Sequence, residues 1–574
     1  MDNPRIARVF SDIGDLLEIK GANPFKIRAY RNAADIVGHM AERVADLTDA
    51  DMRAIPGIGK DLAAKMRELV DTGGLAYFDT LRQEFPASIL DMLRLQGVGP
   101  KTVGRLYAEL GIETLEELEA AAGDGRIRHL KGMGAKKEQL LLRSLAEHRS
   151  RAGRHLLGAA DAIATQVADY LREAARDATI LAVGSLRRGR ETCGDIDLLA
   201  VNATEAIMPH FVSFPQVERV LGQGHTKSSV LLASGIQVDL RVVATESAGA
   251  AAQYFTGSKA HNIAVRDLAL QRGLKLNEYG LFQASDGAYV AGATEAEVYH
   301  ALGLAYVPPE LREHRGEIEA ASTGSLPRLI ERADLRGDLH CHTTATDGKA
   351  DVETMAKAAR DAGLEYLAIT DHSQALAMAN GLNERRALAH ARHVRDVNTR
   401  LDGITLLAGI ECDIRVDGTL DLADDCLAEL DLVVASIHSG FGQDESRMTD
   451  RLLRAIASPM VDIIGHPTGR MLLRRAPYGL NLERVLDAAA QTGVALEINS
   501  QIHRLDLSDS HARLARDRGV KLVISSDAHT PASFELLRWG VTVARRAWLE
   551  RGDVLNTLDV DSLLASLRCQ QVQP

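Results

Sequence analysis

Nine side chains of metal-ligating type recur through the last part of the chain: His340, His342, Asp347, His372, Glu411, His438, His466, Asp527 and His529. His340 and His342 stand two residues apart, which on a strand turns both to one face. Six imidazoles with three carboxylates make a mixed nitrogen and oxygen set suited to Mn²⁺, Zn²⁺ or Fe²⁺. Upstream, a second carboxylate set, Asp195, Asp197 and Asp239, follows a Gly184-Ser185 turn. Two carboxylates held that close repel each other unless cations sit between them. Two divalent ions there would activate a hydroxyl and clamp a phosphate. A lone histidine is usually a satisfied core residue, and a lone Asp-x-Asp a solvated strand edge. The two combinations instead predict two separate metal-dependent sites, both suited to phosphate esters.

The elements that position these groups can be read around them. Residues 180–183 read as a short buried strand ending at Gly184, and 195–200 and 237–243 as two more. After residue 336 apolar strand cores recur at 366–370, 406–410, 432–436, 461–464, 494–498 and 523–526, with helical periodicity between them, as at 352–362. That rhythm predicts a parallel β/α barrel, whose strand C-terminal ends form the active face. The ligand-type residues follow those strands.

The first 150 residues repeat another pattern: Ile55-Pro-Gly-Ile-Gly-Lys60, Leu95-Gln-Gly-Val-Gly-Pro100 and Leu130-Lys-Gly-Met-Gly-Ala135. Each lies between helical sequences, such as 61–70 and 101–110. The paired glycines Gly57/Gly59, Gly97/Gly99 and Gly132/Gly134 would leave backbone N–H groups at a helix start open to a phosphate. This is the helix-hairpin-helix pattern, and it predicts DNA binding without sequence readout. Simple glycine-capped connections are the alternative for any single copy. In 23–34, Lys26, Arg28 and Arg31 form a basic face, with Tyr30 either stacking on a base or sitting in the core.

The chain has 574 residues, too many for one hydrophobic core. Its hydrophobic content of 46% and charged content of 25% are those of an ordinary globular protein. No apolar run approaches the roughly 20 residues of a membrane span, and the Met1-Asp2-Asn3-Pro4 start does not read as a signal peptide. Five scattered cysteines without a CxxC pair suit a reduced cytosol. The net charge of −12 argues against nucleic acid only at first sight, because both carboxylate sets would be offset locally by cations.

Residues 1–315 resemble a family X DNA polymerase, the class typified by eukaryotic polymerase beta. The motifs that carry the resemblance are Gly184-Ser185-Leu-Arg-Arg-Gly189, Gly194-Asp-Ile-Asp197, Thr226-Lys227, Tyr254-Phe-Thr-Gly-Ser258 and Leu276-Asn-Glu-Tyr279. The resemblance implies Asp195, Asp197 and Asp239 as the catalytic triad, with Asp239 accepting the primer hydroxyl proton. It implies Gly184, Ser185, Arg188 and Gly194 at the nucleotide phosphates, Tyr254, Phe255 and Gly257 at the sugar, and Asn262 and Arg266 at the base pair. Lys259 departs from the acidic residue of the beta-type enzyme. Lys65 stands where eukaryotic relatives have a lyase nucleophile, although Asp61 four residues earlier favours its charged form.

Residues 336–574 resemble the PHP (polymerase and histidinol phosphatase) domain, and the order of the two parts is that of bacterial family X polymerases. The PHP resemblance implies three metals: one on His340, His342, Glu411 and Asp527, one on Glu411, His438 and His466, and one on Asp347, His372 and His529. Asp347 replaces a histidine common in that family, and Arg470, Arg474 and Arg475 are placed to hold DNA or phosphate.

The expected architecture is multidomain. An α-helical helix-hairpin-helix N-terminal region comprises 1–85 (DNA-binding, lyase-like) and 86–150 (fingers-type). An α+β polymerase-beta-like nucleotidyltransferase palm (151–245) and thumb (246–315) follow. A linker (316–335) then leads to a C-terminal distorted (β/α)7 PHP barrel (336–574). The expected function is gap filling in DNA repair with two Mg²⁺ or Mn²⁺ ions, plus a 3′–5′ exonuclease with up to three divalent metals, with cutting at abasic sites as a further expectation. Expected partners are gapped or primed DNA and dNTPs, with no membrane, for a cytoplasmic monomer used at the nucleoid. The alternatives are a small-molecule phosphatase fused to a nucleotidyltransferase, and a non-catalytic DNA-end scaffold.

Overall fold

The strands of the larger β-structure are buried along nearly their whole length, as expected where both faces are covered. In the computed structural model, which describes residues 3–39, 44–55, 57–86, 88–93, 95, 98–130, 132–151 and 153–568, these strands form a seven-stranded parallel sheet in sequential order. The chain divides into two compact units, Met1–Ala152 and Gly153–Pro574.

The first unit is helical. Its core gathers Phe10, Tyr30, Met52, Met66 and Leu106, each at most 2% exposed. Tyr30 therefore sits in the core and is not free to stack on a base. Gly57 takes φ +90, and a Cβ there would lie 2.9 Å from Ile36, so the first hairpin turn requires glycine. Gly59 caps the helix Lys60–Thr72 and Gly99 the helix Pro100–Leu110, both in extended conformation with no side-chain cap. Their first N–H groups are thus left for another acceptor. Gly59, Gly99, Gly132 and Gly134 are all exposed. Gly97, the remaining hairpin glycine, lies outside the described residues.

The second unit begins with a five-stranded sheet of β1 (Thr179–Ala182), β2 (Asp195–Val201), β3 (Val217–Gln223), β4 (Lys227–Leu232) and β5 (Gln237–Val243), ordered β1-β2-β5-β4-β3. The β2–β5 pair is parallel. Helices Ala248–Thr256 and Lys259–Gln271 and a small three-stranded sheet follow. Residues 316–335 carry the helix Glu317–Thr323.

The barrel comprises β9 (Gly337–Asp338), β10 (Tyr366–Ile369), β11 (Thr405–Asp413), β12 (Leu432–Ser436), β13 (Ile463–Ile464), β14 (Ala495–Asn499) and β15 (Leu522–Ser525), where β6–β8 are the small sheet's Leu274–Asn277, Gly280–Gln283 and Tyr289–Ala291. A parallel bridge between Cys341 and Ala528 brings the first strand's continuation to the last. Leu339, Tyr366, Leu407, Val434, Ile463 and Val523 fill the interior, and Leu563 and Leu567 join them from the C-terminal segment. Gly337 is required, because a Cβ there would lie 1.9 Å from the Tyr366 ring.

Candidate active sites

Strand geometry assembles the first site. On β2, Asp195 and Asp197 share a face, and the β2–β5 register sets Asp197 beside Asp239. Burial, then the charges of Asp195 and Asp239, push the Asp197 carboxyl up to about 6. Asp239 behaves oppositely. Burial works against its charge, but hydrogen bonds from Lys227, Gln237 and Ser229 hold its pKa below the ordinary value. The Lys227 ammonium lies 2.7 Å from one Asp239 oxygen, and the Gln237 amide donates to the other at 2.8 Å. Lys227 thus supplies a cation where the resemblance implies a metal. Gly184 has φ +69, and a Cβ on it would come within 2.7 Å of an Asp197 oxygen, so the glycine lets the backbone pass the carboxylate.

Several of the residues implied at the nucleotide are already engaged within the chain. Ser185 is half-buried, while Gly194 and Arg266 are exposed. Arg188 donates to Glu313 at 3.0 Å and to the Thr256 carbonyl at 2.7 Å. Tyr254 and Phe255 meet edge to face at the end of their helix, and the Arg241 guanidinium lies 4.4 Å from the Phe255 ring centre. The Asn262 amide donates to the carbonyls of Tyr254 (2.6 Å) and Gly257 (3.2 Å) and so fixes the Tyr254–Gly257 turn. Lys65, in the first unit, forms an ion pair with Asp61 and lies 5.1 Å from the Tyr77 ring centre.

The second site lies at the C-terminal ends of the barrel strands. Glu411 stands at its centre. One oxygen lies 3.3 Å from His438 and 3.1 Å from His466; the other lies 3.4, 3.6 and 2.8 Å from His340, His342 and His372. Ligand atoms gather within 4.8 Å of one another in three groups: His342/Asp347/His372/His529, His340/His342/Asp527 and His372/Glu411/His438. Eight of the nine predicted residues fall in these groups, with His342 and His372 each in two; His372 takes the place expected for His466 beside Glu411 and His438, and His466 joins through Glu411 at 3.1 Å.

The polar atoms at this centre call for a cation. Nε2 of His340, both ring nitrogens of His342 and Oε2 of Glu411 are buried without a hydrogen-bond partner, although His342 Nε2 is 3.2 Å from Asp527. Such orphans are costly unless something absent from a protein-only structure satisfies them, and the donor set suits a divalent transition metal. The electrostatics agree. Burial opposes charge on Glu411, but His438, His340 and His372 hold it well below the carboxylate range. Burial likewise opposes charge on His372, yet Glu411 and Asp347 push it up to about 10. His342, buried and flanked by His529 and His372, falls to about 4.

Several residues here escaped the sequence reading. Glu497, fully buried on β14, accepts from His340 Nδ1 at 2.7 Å and from the His466 N–H at 2.6 Å. Asn499 donates to Asp527 at 3.0 Å. Asp371 accepts from Thr343 and from His390. The available signal was a carboxylate inside an apolar strand, Glu497 in 495–499.

The arginines expected to hold DNA fare differently. Arg470 donates to Glu191 at 2.6 Å and to the carbonyls of Arg504 and Leu505. It therefore ties the barrel to the segment before β2 and is not free for DNA. Arg475 bonds the Gly469 carbonyl and covers the Phe441 ring. Arg546, 2% exposed, joins the same seam, donating to the Arg188 carbonyl (2.6 Å), Glu313 (3.2 Å) and Asp509 (2.7 Å).

The chain matches the family descriptions helix-hairpin-helix domain (1–75), SAM-like helix-hairpin-helix tandem (89–147), DNA polymerase beta palm (159–231), DNA polymerase beta thumb (251–313) and PHP domain (338–501). It is 37% identical to the DNA polymerase/3′-5′ exonuclease PolX of Bacillus subtilis (strain 168) over 571 residues, 99% of this chain and 100% of that protein. The chain belongs to the bacterial family X DNA polymerases with a PHP domain. Its barrel part also resembles a probable phosphatase of Thermoanaerobacter sp. (strain X514), 32% identical over 38% of this chain and 89% of that protein. A probable phosphatase of Shewanella sp. (strain MR-4) is 32% identical over 34% of the chain and 77% of its own length. The family implies divalent metals and DNA binding. Among the described residues no helix is long and apolar enough to cross a membrane.

Proposed function

We propose that this family X polymerase fills short gaps during DNA repair, and that its PHP barrel is a metal-dependent 3′–5′ exonuclease that prepares the 3′ end. Asp195, Asp197 and Asp239 would hold two Mg²⁺ or Mn²⁺ ions, with Lys227 releasing Asp239 as they bind. The Tyr254–Gly257 turn, fixed by Asn262, would seat the sugar, with Arg266 free to meet the base pair. Arg188 would reach the nucleotide phosphates on leaving Glu313. The exposed hairpin glycines would hold backbone phosphates through the uncapped helix starts. A monomer acting in the bacterial cytoplasm at the nucleoid fits this reading. A lyase role for Lys65 would require displacement of Asp61.

In the barrel, the nine ligand-type residues would hold up to three Mn²⁺, Zn²⁺ or Fe²⁺ ions. Bound metals supply Lewis acidity and a deprotonated water at neutral pH. Glu497 fixes the His340 ring by accepting a hydrogen bond from its Nδ1–H, which turns Nε2 toward the centre. The observation that carries the reading is Glu411, surrounded by five histidines whose buried nitrogens largely lack partners.

The likeness to probable phosphatases supports a second reading, hydrolysis of small phosphate monoesters. The deciding assay supplies Mn²⁺ and compares shortening of a 5′-labelled single strand with hydrolysis of histidinol phosphate and p-nitrophenyl phosphate. The exonuclease reading expects the strand to be the better substrate by kcat/KM, with both activities lost in His340→Ala. Monoester hydrolysis with an intact strand would overturn it.

A further inference from the structure

A groove of about 610 Å³ opens on the barrel rim, beside but outside the metal-ligand cluster. Its walls are the segment after β11 and the helix Glu445–Ala457, and four arginines line it: Arg415, Arg447, Arg451 and Arg454. Only two carboxylates, Asp417 and Asp450, accompany them. The Arg454 guanidinium bonds the Asp417 carbonyl, and Asp450 also accepts from Arg484 outside the groove.

The groove is joined to the metal site through its floor. Arg451 is buried, and its guanidinium bonds the carbonyls of Ser439 and Ile414. Ser439 directly follows His438. Ile414 follows Asp413, which lies 3.8 Å from His438 Nδ1. The two segments that shape the groove are therefore the continuations of those carrying Glu411 and His438. Gly440, at φ +68, keeps the floor low, since a Cβ there would lie 3.1 Å from both Arg451 and Val416.

Two guanidiniums remain turned to solvent. Arg447 is 3.7 Å from Asp444 with 77% of its side chain exposed, and Arg415 bonds the Asp421 carbonyl and lies 3.4 Å from the Asp421 carboxylate with 50% exposed. Between them Val416 is 55% exposed, an apolar surface in a cationic channel. Guanidinium forks match phosphate oxygens, and an apolar face among them suits a sugar or base.

We propose that this groove holds the backbone of the single DNA strand whose 3′ end lies at Glu411 and His438. The proposal rests on the exonuclease reading of the barrel. It adds the path of the strand: phosphates upstream of the 3′ end lie on Arg415 and Arg447, and a sugar or base covers Val416. Like the hairpin contacts, this grip would not depend on sequence.

The test uses the full chain and needs no turnover. A photoreactive p-benzoylphenylalanine is placed at Val416, and in a control protein at Lys357 on the outer helix Val352–Asp361. Each is irradiated with a labelled strand whose 3′-terminal linkages are phosphorothioate. Crosslinking from position 416 to nucleotides near the 3′ end is expected to exceed that from 357 at least fivefold, and to fall at least fivefold on adding Arg415→Gln/Arg447→Gln. With wild-type residue 416, the same double substitution should lower the ratio of strand shortening to p-nitrophenyl phosphate hydrolysis. It should also remove about 1.4 from the slope of log KM for the strand against log salt, the value for two single-strand phosphate contacts. Equal crosslinking from 416 and 357, or an unchanged salt slope, overturns the groove. If the wild type leaves strands intact, the exonuclease reading fails, while the crosslink still decides whether the groove binds DNA.

Discussion

Replacing Glu497 by glutamine tests whether the barrel site depends on a residue that touches no metal. Glu497 is fully buried, and its two oxygens accept from three donors: His340 Nδ1 at 2.7 Å on one, and the His466 N–H at 2.6 Å and the Asn499 amide at 3.2 Å on the other. Glutamine offers one acceptor and one NH₂ in the same space. Whichever way the amide turns, a donor faces a donor, and one buried group loses its partner at a cost of about 1–3 kcal/mol. If His340 loses its acceptor, its ring is no longer fixed and Nε2 is a weaker ligand. Partners of this kind are worth roughly 10–100-fold in metal affinity or activity. Glu497→Gln should therefore raise the Mn²⁺ needed for half-maximal strand shortening by about 10–100-fold, with partial recovery at high Mn²⁺. Primer extension on the same gapped DNA should stay near wild type and show that the chain is folded. Unchanged Mn²⁺ dependence in a folded Glu497→Gln protein would refute the argument that this carboxylate orients His340.

Further predictions concern the polymerase site and the seam. Asp197 has its pKa raised from 3.8 to about 6, so the metal-free folded chain takes up a proton between those values. Its contribution to stability is favourable below the unfolded value and is lost as pH rises through about 6. Because metal must displace that proton, the Mg²⁺ concentration for half-maximal extension should rise about tenfold per pH unit below about 6; a flat dependence would contradict it. Gly184→Ala places a methyl 2.7 Å from an Asp197 oxygen at φ +69. Single-nucleotide insertion should fall by roughly 100-fold or more, since a misplacement of about 1 Å already costs that much. Arg546→Met removes donors to Glu313, Asp509 and the Arg188 carbonyl, and breaking such a buried pair costs about 3 kcal/mol. Denaturant unfolding should show that loss, and KM for dNTP should rise because Arg188 is no longer held from the barrel side.

The parts of this protein that repeat a period were readable from its sequence. Apolar runs of strand length between amphipathic helices announced the barrel, and ligands at successive strand ends announced its active face. Asp195 and Asp197 could be paired by their spacing, and the three hairpins by their shared glycines. What could not be read was set by contacts across long stretches of chain. Whether Tyr30 faces a base or the core depends on Phe10 and Tyr77, which pack around it. Arg470 looks like a phosphate ligand until Glu191, 279 residues away, takes its guanidinium. The resemblance implies Asn262 at the base pair, and no motif announces that its amide also donates to the carbonyls of Tyr254 and Gly257. Lys227 was legible as part of a motif, but its partner Asp239 emerges only from the pairing of β4 with β5. Glu497 was hidden because a buried carboxylate in an apolar strand acquires meaning only once His340 is opposite it.

On the function proposed above, one chain carries two independent metal-dependent sites, one extending a DNA end and the other shortening it. A labelled primer on gapped DNA, followed with Mn²⁺ in the presence and absence of dNTPs, tests it directly. The proteins compared are wild type, Asp195→Ala/Asp197→Ala and His340→Ala/His342→Ala. Extension is expected to disappear only in the aspartate variant and shortening only in the histidine variant. If both variants extend and shorten the primer like the wild type, both sites have been assigned to the wrong residues.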